Sequence, residues 1–190
     1  LYGGNLMLFA ELLAANDEIR WEGTFNQPRE VWLKAMLTTN AYVRDTWLEA
    51  YDVINICNNI ISAIGVVNSA DQNRVKGEAL FLRGAMYFEL VKLFAKPYSA
   101  GNVSTNKGLP LILAPTRGID QSSYVQRSTV EQTYTQIIAD LTEAESLLPN
   151  NNGVYASKYA AAGMLSRVYL QMENYPSARD AADRAITVAT

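Results

Sequence analysis

Trp21 and Trp32 stand in a stretch whose apolar pattern is broken by Gly23 and Pro28, with Arg20, Glu22, Asn26 and Gln27 close by. An indole face accepts the apolar, weakly positive C–H face of a pyranose, while neighbouring Arg, Asn and acidic side chains bond to hydroxyls. Trp21, Arg20, Asn26 and Trp32 are the candidate ligand-binding residues on this reading. Either tryptophan could instead plug the gap between the first helices. That alternative is favoured for Trp32, flanked by Val31 and Leu33, and stands level with sugar stacking for Trp21. Asp17, Glu18 and Glu22 raise an enzymatic question, since two carboxyls held on opposite sides of a sugar ring can hydrolyse a glycosidic bond. Their setting reads as a solvated helix end with ordinary charges, so no enzyme is expected.

Other chemistry is narrowed by composition. The chain has no histidine, which removes Ser-His-Asp and Cys-His catalysis and the usual zinc constellations; no cofactor or metal is expected. The single cysteine, Cys57, falls in an apolar run beside Ile56 and Ile60 and reads as a small buried hydrophobe. Arg83, on a largely apolar helix, is expected to pair with a carboxylate, Glu78 or Glu49, or else to anchor an anionic ligand. A formal net charge of -3 with scattered Lys and Arg gives no basic stripe to neutralise phosphates, so no nucleic acid is expected as a partner. Asn102-Val103-Ser104 fits an N-glycosylation acceptor, a pattern common by chance.

These residues need elements to position them. At 190 residues, with 49% hydrophobic and 18% charged residues, the chain is one domain or a large part of one. It opens at Leu1 inside an apolar pattern, which suggests a piece of a longer protein, and Asn58 and Asn59 interrupt the best candidate for a membrane span. Leu6, Leu8, Phe9, Leu12 and Leu13 predict a helix from Gly4 to about Ala15. Asn40 to Ile64 is helical again, with Trp47, Tyr51, Ile54, Asn58 and Ile61 on one line. From Val75 the longest periodic run carries two apolar stripes, one through Leu80, Leu90, Val91 and Phe94 and one through Val75, Ala79, Leu82, Met86 and Leu93. A helix covered on both sides belongs in the middle of a stack, and Pro97 is expected to end it.

Residues 99 to 127 hold Gly101, Gly108, Pro110, Pro115 and Gly118 and show no period, which predicts a long loop of functional type. Ser128 with Glu131 reads as a capping box that opens a helix running to Pro149. Ser157 opens another, and Pro176 sits in the first turn of the last. Leu165, Tyr169, Ala178 and Ala185 fall where a tetratricopeptide hairpin wants them, and small residues from Ala160 to Gly163 and at Ala178, Ala181, Ala182 and Ala185 allow close helix approach over 157–190. Trp47, Tyr51, Tyr87, Tyr134 and Tyr169 are expected in the core as interhelical hydrogen-bond donors.

Several blocks are similar to one family. Glu78-Ala79-Leu80-Phe81-Leu82-Arg83, then Ala85, Tyr87, Phe88, Leu90, Val91, Phe94 and Pro97, resembles the signature helix of SusD/RagB-like proteins, with Gly84 in place of an alanine and Ala95-Lys96 at the exit. Trp47, Tyr51, Ile54, Asn58 and Asn59, the step Gly108-Leu109-Pro110-Leu111, and the block from Arg127 to Pro149 resemble further family segments in the family's order. The resemblance implies an all-α, tetratricopeptide-like right-handed helical scaffold and assigns 1–190 to the amino-terminal helical part of such a domain, its carboxyl-terminal part missing. It also implies capture of a glycan or other nutrient for a SusC-like TonB-dependent transporter, by a lipid-anchored protein on the surface of the outer membrane. The alternative is a tetratricopeptide-like adaptor that holds a protein or peptide in its concave groove.

Overall fold

The structure is a computed structural model that describes residues 4–14, 18–118 and 120–186. Asp17, the expected helix end at Ala15 and the last four residues of the 157–190 hairpin lie outside them. The chain packs as two compact units, Leu1–Asp52 and Val53–Thr190.

In the first unit, α1 spans Asn5–Ala14 and buries Leu6, Phe9 and Leu12 along one stripe, with Met7 exposed. The broken stretch that follows contains a helix the sequence pattern hid, α2 at Asn26–Trp32. It has only seven residues, too few to show a period. Pro28 falls in its first turn, where a missing N–H costs nothing, so the proline is part of the helix and not a break in it. Pro28 and Val31 are buried. The helix α3, Ala41–Ser62, starts at Asn40, whose Oδ1 accepts from the backbone N–H groups of Tyr42 (3.0 Å) and Val43 (3.3 Å). The same side chain donates to the Gln27 carbonyl (3.1 Å) and to Glu30 (2.7 Å), so one cap residue both starts α3 and ties α2 to it. Trp47 and Tyr51 follow one turn apart with ring centroids at 4.9 Å.

The second unit takes the remainder of α3, a 3-10 turn at Ile64–Val66, and α4 at Gln72–Phe94. Every residue of α4 from Arg83 to Val91 is buried, the all-round cover expected of a central helix. The expected second stripe is incomplete, because Leu82 is 44% exposed. The helix also ends before Pro97, with Ala95 already extended. The strands β1, Lys107–Pro110, and β2, Arg127–Thr129, form a short antiparallel ladder with an irregular register. The remaining helices are α5 (Val130–Leu147), α6 (Lys158–Gln171) and α7 (Tyr175–Ile186).

The capping box of α5 is shifted by one residue from the expected Ser128–Glu131 pair. Thr129 accepts from Gln132 N–H at 3.1 Å, and Gln132 returns the bond to Thr129 N–H at 2.9 Å. Either frame satisfies the motif, but starting the helix at Val130 buries that side chain completely. Pairing with α5 explains Gly84 as well: a Cβ there would stand 3.0 Å from Leu141 Cγ, closer than side chains ordinarily pack. Leu80, Ala144, Leu148 and Ala161 form a core cluster that joins α4, α5 and α6. In the α6–α7 hairpin Ala161, Ala162, Ala178 and Ala181 are buried, whereas Ala160 is exposed.

Candidate ligand-binding site

In the first unit, the sequence candidates cluster around the turn that leads into α2. The indole Nε1–H of Trp21 donates to the Phe25 carbonyl at 3.1 Å, and Arg29 reaches back from α2 to the Gly23 carbonyl at 3.2 Å. The ring lies against Gly23 so closely that a Cβ at that position would stand 2.5 Å from Trp21 Cζ2. Trp21 is half-buried, held at its polar end and along one side, so it is a fixed aromatic surface and not a sealed plug. Arg20 and Glu22 flank it as an exposed pair at 3.7 Å, and Asn26 is exposed at the first position of α2. Their polar groups are open to solvent. Trp32 sits at the other end of α2 and is half-buried. Glu18 is exposed, as is Glu22 beside Arg20, which leaves both as solvated charges.

Phe25 was not among the candidates, yet it is 64% exposed next to Trp21 and its carbonyl fixes the indole. An aromatic immediately before a helix start, with no periodic partner, is the signal that could have found it.

The second unit contributes a differently built feature. Between β1 and β2 the chain crosses the second half of α3 and the middle of α4, and three side chains hold its main chain. Tyr87 Oη donates to the Ile112 carbonyl (2.9 Å) and accepts the Ile112 N–H (2.8 Å). Asn58 donates to the carbonyls of Ile112 (2.8 Å) and Ala114 (3.3 Å). Asn55 accepts from Thr116 N–H (2.8 Å) and donates to its carbonyl (3.3 Å). Alternate residues are thus gripped along an extended segment. Beyond the grip, Arg117 and Asp120 line a hollow of about 550 Å³, and Tyr124 is 77% exposed nearby in sequence.

The grip is anchored in the core by charge. Arg83 is not paired with Glu78 or Glu49: Glu78 serves Arg74, and Glu49 is exposed. The Arg83 guanidinium instead forks onto Asp140 of α5, Nε to Oδ2 at 2.8 Å and Nη2 to Oδ1 at 2.6 Å, and gives its third bond to Asn58 Oδ1 at 2.8 Å. Burial works against its charge, but the Asp140 carboxylate more than compensates and holds Arg83 protonated more firmly than usual. Gln136 completes Asp140 at 2.8 Å. Arg83 therefore positions Asn58 and is sealed from any ligand. Burial pushes the Cys57 thiol up to about 11 and the Tyr87 phenol up to about 12, so both stay neutral. Tyr87 is buried as expected, and its hydroxyl bonds to the loop at Ile112.

Among known proteins, the chain is 29% identical over 189 residues to a SusD-like protein of Formosa agariphila, covering 97% of this chain and 35% of that protein. A SusD superfamily protein from Bacteroides thetaiotaomicron superposes with a TM-score of 0.82 at 31% identity, over 98% of this chain and 41% of that one. A SusD-like carbohydrate binding protein from Bacteroides vulgatus gives 0.83 at 26% identity, over 98% and 39%. The chain therefore spans well under half the length of these relatives, and it shares their helical scaffold. A family model described as starch-binding and associating with the outer membrane matches residues 9–170. The helical scaffold, the signature helix around Arg83 and this match together show that the chain belongs to the SusD-like family.

Proposed function

We propose that the chain is the helical part of a glycan-binding protein that captures an oligosaccharide at the outer membrane and delivers it to a SusC-like TonB-dependent transporter. No covalent step is involved. The observation that carries this reading is the match over residues 9–170 to a family described as starch-binding. Trp21 supports it locally, as a pre-set stacking face with Arg20, Glu22 and Asn26 within a few residues. Because the indole is already immobilised, little side-chain freedom is lost when a sugar stacks on it. Trp32 is proposed as a secondary contact. The transporter partnership and a surface-exposed lipid anchor follow the family's pattern and belong to the same proposal.

Calorimetry on the full-length protein with a panel of neutral oligosaccharides is the test. At least one should bind, with no reducing sugar released, and Trp21→Ala should weaken it by roughly 5- to 30-fold, the equivalent of about 1–2 kcal/mol of lost stacking. Absence of binding to any glycan would overturn the function; binding untouched by the substitution would remove Trp21 from the site. Recovery of a β-barrel transporter with the tagged protein from outer membranes checks the partnership.

A further inference from the structure

We propose that the depression where α4 ends beside the β1–β2 ladder is a second ligand site, one that takes a sulfate ester carried on a sugar. The cavity measures about 740 Å³ and is lined by Phe94, Lys96, Asn106, Lys107 and Arg127 among others, without an acidic residue. That size suits one or two sugar rings. The bias in charge is local, since the whole chain carries 19 acidic residues against 16 basic ones.

Arg127 sets the site up. Its Nε donates to the Gly108 carbonyl at 2.7 Å, and its Nη2 donates to the main-chain carbonyls of Phe94 at 2.7 Å and Lys107 at 3.4 Å. The guanidinium is thereby immobilised against the last turn of α4, where it offsets the negative end of the helix that would otherwise repel an anion. Lys96 and Lys107 are exposed and have no ion-pair partner among the described residues, so their charges remain to meet a ligand. Phe94 is half-buried and gives the cavity an apolar wall. A fixed Arg with two exposed ammonium groups is a donor set for a tetrahedral oxyanion. Affinity should fall with added salt.

The sugar part of this proposal rests on the glycan reading above; the charge part does not. Full-length protein is titrated with a sulfated disaccharide and its desulfated counterpart at low and high salt. The sulfated form should bind roughly tenfold tighter at low salt, and the advantage should shrink at high salt. Lys96→Gln with Lys107→Gln should abolish the advantage while leaving the neutral sugar's affinity and the thermal midpoint unchanged. Lys34→Gln with Lys158→Gln, a matched loss of charge at residues outside the depression's lining, should leave the advantage intact. Trp21→Ala should weaken the neutral sugar and leave the sulfate-dependent binding at the depression in place, because Trp21 is not part of its lining. Equal affinity for the two sugars, or an advantage that survives loss of Lys96 and Lys107, overturns the proposal. Binding of anionic lipid vesicles through the same lysines with no preference for the sulfated sugar overturns it as well. If neither sugar binds, the glycan reading falls with it; if only the sulfate preference is missing, that reading stands.

Discussion

Arg83→Met replaces the central guanidinium by an apolar chain of similar length and leaves the rest of the buried network in place. Asp140, 2% exposed, then keeps only Gln136 as a partner among the described residues, and Asn58 Oδ1 loses the Arg83 donor. Breaking a buried ion pair from one side costs about 3–5 kcal/mol, because the remaining charge is stranded away from water. For a chain of this size each kcal/mol moves the thermal midpoint by about 2–4 °C, so the variant should melt roughly 6–20 °C lower. The double variant Arg83→Met, Asp140→Leu removes the stranded charge and should recover much of the loss. Urea and thermal unfolding, followed by circular dichroism in near- and far-ultraviolet, measure both. A single variant destabilised by less than about 1 kcal/mol, or a double variant no more stable than the single, would show that Asp140 finds solvent or another partner and would refute the reasoning.

Tyr87→Phe removes both bonds to Ile112 and should cost about 1–3 kcal/mol, with faster hydrogen exchange at the Ile112 amide; unchanged exchange would mean Asn58 alone holds the loop. Gly108→Ala would drive a Cβ into the Thr133 hydroxyl and the Thr129 carbonyl, so a loss of about 1–3 kcal/mol is expected by denaturant titration. Gly23→Ala should displace the Trp21 indole and reproduce the sugar affinity of Trp21→Ala; full affinity would show that the ring needs no such support. Alkaline pH should destabilise the fold. Burial pushes Tyr87 and Tyr134 from 10.0 up to about 12 and Cys57 from 9.0 to about 11, so above pH 9 the unfolded chain sheds protons that the folded chain retains. Stability present below 9 is therefore lost progressively as pH rises towards 12, and a urea midpoint that stays flat to about pH 11 would contradict it.

Long periodic segments carried most of the scaffold in plain view. The centre of α4 could be assigned from spacing alone, as could α5 to α7 from their apolar periods and from Ser157 and Pro176, because each is a local property. What stayed hidden was short or distant. A seven-residue helix with proline in its first turn offers no period, and two overlapping capping frames at Ser128 and Thr129 cannot be separated without knowing that Val130 must be buried. Arg83 and Asp140 lie 57 positions apart, so nearby carboxylates looked equally good partners. At the candidate site, residue types around Trp21 were legible, whereas the hold that Phe25 and Gly23 exert on the indole depends on how the turn closes. The basic character of the depression at the end of α4 arises from three cations spread between positions 96 and 127, which no linear stretch displays.

The way Asn55, Asn58 and Tyr87 hold the segment from Ile112 to Thr116 has a consequence for divergence. The bonds they make to Ile112, Ala114 and Thr116 are to amide groups, which every residue type except proline supplies in full. Substitution along that rim can thus proceed without refitting the helices beneath it. A lineage of such proteins could exchange what it presents to its surroundings while the supporting architecture stays fixed.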